Sequence, residues 1–351
     1  MQAVLDTRQT AQPAFVQFDL ALTDAPTLAS SHERVGLALG RDYALHGVTP
    51  PIAHLYAQSP LQRGWMAAKA RMAGRAARAP ATPQVQQWLA LRTHAWTRGR
   101  HFEDLLVTPH HLGQLDVSHC PITRELLGDD NRSIDRVRDD AGYAAGNLVV
   151  MSRHANRAKG ARGHEQLLAL ADSCEAGPIS RIGGLSAVEW RRLAVLASFV
   201  TPLSHETAAQ IPLHVLPPNR LRLLNPIQAL QALVTRQLAT PGWSARLARL
   251  EALLPTDALR ADFNRFVLAL APRVLAAHEL QQPHEIRWAL EDAWAQPLVQ
   301  KRWTRLALQL RPEQAEALVE RAAAKRLSPV HVQRHDDATD GWALASGGYA
   351  A

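Results

Sequence analysis

At 351 residues the chain exceeds the usual size of one hydrophobic core, so two or more domains are expected, and 47% hydrophobic with 20% charged residues is the balance of a folded globular protein. The formal charge of +7 favours a polyanionic partner, nucleic acid first among them. Cys120 and Cys174 form no C-x-x-C pair, which excludes a four-cysteine zinc knuckle and fits a reducing cytoplasm. Met1–Phe18 lacks a basic start followed by an apolar run, and no window reaches the roughly 18 apolar residues of a membrane span, so neither export nor membrane insertion is expected.

Residues 1–30 are weakly patterned and read as a flexible lead-in. A basic helical region, 31–104, follows. Between Tyr43 and Phe102 there is no acidic residue, yet Arg63, Lys69, Arg71, Arg75, Arg78, Arg92, Arg98 and Arg100 fall there. Gln62–Arg78 carries Trp65, Met66, Ala70 and Ala73 at helical spacing, which predicts a helix with a basic face. Thr82-Pro83 suits the cap and first residue of a second helix through Arg98, with Trp88 and Trp96 on one packing face.

Val107–Thr123 is broken by Pro109, Gly113 and Pro121 and reads as loops and a hairpin. His110 and His111, adjacent on such a strand, would point apart and share no metal. Ser133–Val137 and Asn147–Met151 alternate as two short strands, and His154–Lys159 begins a helix. His164-Glu165 is expected at the surface. Ser186-x-x-Glu189 is a capping box opening an apolar-periodic segment through Phe199. Helical patterns follow at Pro226–Leu238, Trp243–Leu254, Asp257–Leu280, Glu285–Leu298 and Pro312–Lys325, an all-α domain over 185–330 whose tryptophans should pack helices. Residues 331–351 read as a disordered tail. The fold class is α+β, mostly α, with a small module over 105–175 between helical regions.

That module holds the chain's chemistry. A one-metal ββα site needs ligands on a strand end and on the first turn of a helix, so that both converge on an ion that neutralises charge building on a phosphodiester. Asp135 and Asn156 have that layout. Ser133-Ile134-Asp135-Arg136-Val137, Gly142-Tyr143-x-x-Gly146-Asn147-Leu148 and Asn156-x-x-Lys159 together resemble the core of an HNH-type endonuclease, over about residues 120–160. The resemblance implies Asp135 and Asn156 as ligands of one Mg²⁺ or Mn²⁺, Asn147 as the residue holding the loop, and Arg153, Arg157 and Lys159 near the scissile phosphates. Cys120-Pro121-Ile122-Thr123 resembles the turn before that core, and with one cysteine it implies no zinc cluster.

Arg136 stands where the family places its general-base histidine, and an arginine takes no proton from water. It can bind phosphate or stabilise a transition state. Three outcomes stay open: a substitute base, His119 first and His154 second; a metal-bound water ionised without one; or a silent site that only binds nucleic acid. The expected function is a metal-dependent endonuclease acting on DNA rather than RNA, with a catalytically degenerate nucleic-acid-binding protein as the alternative. The C-terminal helices could receive a protein partner.

Upstream, Gly36-x-x-x-Gly40-x-Asp42-Tyr43-x-x-x-Gly47, Pro50-Pro51 and Gln62-Arg63-Gly64-Trp65 are similar to the ribosome modulation factor family, whose two helices bind ribosomal RNA. This implies phosphate contacts for Arg63, Lys69 and Arg71, with Arg75 on the same basic face.

Overall fold

Two glycines let the first helices touch. In α1 (Leu28–Leu45) a Cβ on Gly40 would lie 2.0 Å from Leu61 O, and in α2 (Pro60–Met72) a Cβ on Gly64 would lie 2.1 Å from Leu37 O. Only glycine allows such backbone contact. The pair forms one unit of the computed structural model, which describes residues 28–73, 81–327, 332 and 342. Pro60 opens α2 at its first position, where the missing N–H is not needed, two residues before the predicted start. Arg63 pairs with Glu33, Lys69 lies 4.4 Å from the Trp65 ring, and Arg63, Lys69 and Arg71 are exposed. Arg75 and the predicted extension to Arg78 lie outside the described residues, as does most of the predicted lead-in.

The second unit runs from α3 (Pro83–Thr97) onward. It contains α4 (Pro109–Leu115), the antiparallel pair β1 (Arg132–Arg136) and β2 (Leu148–Ser152), α5 (Arg153–Lys159) and α6 (His164–Ala176). A two-residue pair, β3 (Arg181–Ile182) and β4 (Leu185–Ser186), leads to α7 (Ala187–Phe199) and α8 (His205–Gln210). The rest is helical: α9 (Pro226–Leu238), α10 (Trp243–Glu251), α11 (Asp257–Ala277), α12 (Pro283–Ala293), α13 (Pro297–Ala307) and α14 (Pro312–Ala324). The fold is therefore mostly α with two small sheets, and no helix among the described residues is long and apolar enough to cross a membrane.

The domain boundaries expected near 104 and 175–185 give way to one continuous core from Ala95 to Leu327. The reason lies in three links. Trp88 Nε1 of α3 donates to Val107 O at 2.7 Å, Arg192 of α7 donates to Ile122 O at 2.9 Å, and Arg124 grips Asp292 of α12 with both nitrogens at 2.7 and 2.8 Å. At the centre stands α9, buried on nearly all sides. Its buried polar groups are matched: Gln228 donates to Ser198 Oγ at 2.8 Å, and Thr235 Oγ1 receives the Trp294 indole at 2.9 Å. Of the tryptophans expected to pack helices, Trp190, Trp294 and Trp303 are fully buried and Trp243 and Trp288 are half-buried.

Several expectations are corrected. The segment read as loops contains α4, because Thr108 caps it and Pro109 takes its first position, so His110 and His111 lie on a helix. Glu285–Leu298 is interrupted where Pro297 cannot donate to a preceding turn, giving α12 and α13. His164 is buried in α6 with Nδ1 2.7 Å from Ala194 O. In the expected tail, Val332 bridges Leu223 and Trp342 is buried, its indole donating to Ala145 O at 3.0 Å. The remainder of that tail lies outside the described residues.

His214 adds a pH dependence. Burial first, then the Arg191 and Arg192 charges, push its pKa down from 6.5 to about 4. The unfolded chain takes up a proton that the fold refuses, so this contribution is present above pH 6.5 and lost as pH falls towards about 4. Acidification across that window should remove up to about 3 kcal/mol, read by urea unfolding. His214→Gln should flatten that part of the profile.

Candidate functional site

The loop between β1 and β2 is closed by one side chain. Asn147 is fully buried; its Nδ2 donates to Arg138 O (3.0 Å) and Gly142 O (2.9 Å), and its Oδ1 accepts from Arg138 N (2.9 Å). This is the loop-holding geometry expected of it. Directly after β2, Ser152 Oγ caps α5 by accepting from Ala155 N at 3.2 Å. Cys120 Sγ receives Ser152 N at 3.3 Å and Thr123 N at 3.5 Å, so this thiol ties the preceding turn to β2.

Asp135 projects from β1 into a buried pair with Lys159 of α5. The ammonium stands 3.1 Å from Oδ2 and 3.4 Å from Oδ1, and donates to Arg136 O (2.9 Å) and Gly160 O (3.2 Å). Lys159 is 1% exposed, so it is a buried tie between strand and helix and does not present itself to a phosphate as expected. Burial pushes the Asp135 carboxyl up from 3.8 to about 6, and Lys159 and Arg136 oppose only part of that rise. Asn156 donates to Ser133 Oγ at 2.7 Å.

Arg136 is folded onto its own loop. It pairs with Asp139 at 2.5 Å, donates to Asp139 O (2.9 Å) and Ala141 O (3.0 Å), and lies 5.0 Å from the Tyr143 ring. Beside it opens a cleft of about 970 Å³ whose walls carry Arg98, Arg100, Arg132, Arg136 and Arg153 against only Asp135 and Asp139. Arg132 pairs with Asp116 and Arg100 with Asp139, whereas Arg98 and Arg153 have no acidic partner among the described residues. Asn156 and Ser133 also line this space, so Asp135, Arg136, Asn156 and Arg153 are brought together.

His119 is not with them. Bridged to Leu126, it turns towards α12, where its ring stacks on His284 at 4.2 Å and meets Trp288 edge-on at 5.3 Å. His154 packs against Gly184 at the β3–β4 turn, and Arg157 is exposed outside the cleft walls. Neither expected substitute base faces Asp135.

A different histidine does line the cleft. His94 of α3 has Nδ1 2.8 Å from Tyr143 Oη, and burial, then Arg98 and Arg136, lower its proton affinity. Its helix is held there by Tyr143 N donating to His101 O (2.9 Å), Glu103 N donating to Tyr143 O (3.0 Å) and Ala145 N donating to Glu103 Oε2 (2.8 Å). In the sequence this helix shows only its tryptophans and caps, and nothing near His94 marks its distant partner.

The donor set does not suit a Mg²⁺ or Mn²⁺ ion as it stands. Such an ion wants several hard oxygens in octahedral array. Here two carboxylates line the cleft, Asp135 facing an ammonium and Asp139 paired with Arg136 and Arg100, beside the amides of Asn156 and Gln87, and no group of three His, Cys, Asp or Glu gathers among the described residues. What the arrangement can do is hold an anion between arginine forks. The chain matches no family model, no curated protein and no solved structure.

Proposed function

We propose that the arginine-lined cleft binds the phosphate backbone of nucleic acid, DNA before RNA. The observation that carries this is the set of five arginines facing two aspartates, with Arg98 and Arg153 free of acidic partners among the described residues. Guanidinium forks match phosphate oxygens, and such contacts give affinity that is steeply salt-dependent and carries no sequence information. The exposed Lys69 and Arg71 of the helical pair add positive surface of the same kind.

Hydrolysis of the bound phosphodiester is a second reading, favoured by His94. With its Nδ1 proton donated to Tyr143 Oη, Nε2 can take a proton from water as the hydroxyl attacks phosphorus and the ester oxygen leaves with a solvent proton. The arginines stabilise the charge that builds on the phosphate.

Both readings are tested together by fluorescence anisotropy on a duplex and by plasmid nicking. Arg98→Ala and Arg153→Ala should each weaken binding about tenfold at low salt and flatten the salt slope by about one. Unchanged binding in the double variant would sink the first reading. Nicking by the wild type that His94→Ala abolishes while binding persists supports the second, and absence of any nicking removes it.

A further inference from the structure

We infer that the Lys159 ammonium is the resident cation of this ββα module, standing against Asp135 where a divalent ion would otherwise sit, so that the cleft takes its anionic ligand without a metal.

The geometry is that of a filled site. Three neighbours surround the nitrogen: the Asp135 carboxylate, Arg136 O at 2.9 Å and Gly160 O at 3.2 Å. All are oxygens, and they come from the end of β1 and from just past the end of α5. A metal in such a fold would join the same two elements. Lys159 therefore supplies the linking cation from within the chain, as an ion pair with Asp135 and hydrogen bonds to two carbonyls.

The carboxylate leaves no room for a second cation. Asp135 Oδ2 is buried and accepts no hydrogen bond, so it is the oxygen with lone pairs to offer an ion, yet the ammonium lies 3.1 Å from it. A hard divalent ion would bind that oxygen at about 2.0–2.1 Å and would share the carboxylate with a fixed positive charge in a poorly screened interior. Arg136 adds another charge, held beside the site by Asp139 and two carbonyls. Asn156, whose amide nitrogen donates to Ser133 Oγ, has only its Oδ1 to add, and Asp139 is paired with Arg136 and Arg100, so the set falls well short of the octahedral oxygens a hard divalent ion wants. The ion would have to displace Lys159, which is 1% exposed, from the three acceptors that hold it.

The inference concerns the cation, not the ligand of the cleft, so it is tested without nucleic acid. Mn²⁺ alone is titrated into the full chain and followed by the loss of its free solution EPR signal. Wild type should bind no Mn²⁺ that Asp135→Asn removes, whereas Lys159→Met, which uncovers Oδ2, should bind one ion at least about tenfold more tightly. Circular dichroism confirms that each variant is folded, and Lys159→Gln serves if Lys159→Met is not. Asp135-dependent Mn²⁺ binding by the wild type overturns the inference, as does a folded uncharged variant that gains none. Loss of nucleic-acid binding by the cleft arginines would leave this result untouched, so the two readings fail separately.

Discussion

Lys159→Met should destabilise the second unit by up to about 3–5 kcal/mol once Asp135 is ionised in both proteins, because it strands a buried carboxylate without its cation. The loss should depend on pH in a defined sense. Asp135 has a folded pKa raised from 3.8 to about 6, so the fold prefers its neutral form, and removal of the ammonium strengthens that preference. A raised carboxyl pKa means stability that is present below 3.8 and lost as pH rises through the folded value. The deficit of Lys159→Met against wild type should therefore be small below about 6, where both folds hold a neutral Asp135, and should grow as pH rises above it. Adding Asp135→Asn should recover most of it, since removing both charges costs far less than removing one. Urea unfolding of the wild type, the two single variants and the double closes the cycle. Equal stability of Lys159→Met and wild type at neutral pH would show that the pair is not a structural tie.

Asn147→Ala is expected to cost about 3–5 kcal/mol, because it leaves Arg138 N, Arg138 O and Gly142 O without their shared partner, and each buried unpaired group costs about 1–3 kcal/mol. Asn147→Asp should do no better, since it keeps the acceptor for Arg138 N but sets an anion against two carbonyls. Amide hydrogen exchange is the direct readout: protection should fall at Arg138 and Tyr143 before it falls in α9. Because the loop carries Asp139 and Tyr143, which hold Arg136 and His94, affinity for duplex should fall as well. Unaltered exchange at those amides would refute the clamp.

What the sequence makes legible is what is local. The β1–β2 hairpin, the Asn147 loop and the capping box of α7 follow from residues close together in the chain, and they stand within a residue or two of expectation. Proline handling was half legible: Pro83 and Pro226 mark helix starts, while Pro297 lay inside a continuous apolar pattern and was hidden by it. The misses are long-range. His94 reaches the cleft only because Tyr143 bonds to His101 and Glu103, just past α3, and His119 leaves it only because α12 offers His284 and Trp288. The role of Lys159 depended on burial, which an exposed-looking N-x-x-K spacing does not disclose. The single core has the same origin, since Arg124 and Arg192 are charged residues whose partners lie across the fold.

Arg136 stands in the wall of the arginine-lined cleft. Held by Asp139, two carbonyls and an aromatic face, it is already immobilised before any anion arrives. The ordering entropy of that long side chain belongs to folding, so an incoming ligand meets a fixed field instead of a flexible arm. Encounter with the cleft should then be governed by diffusion along the electrostatic gradient, with little rearrangement of this wall to slow capture.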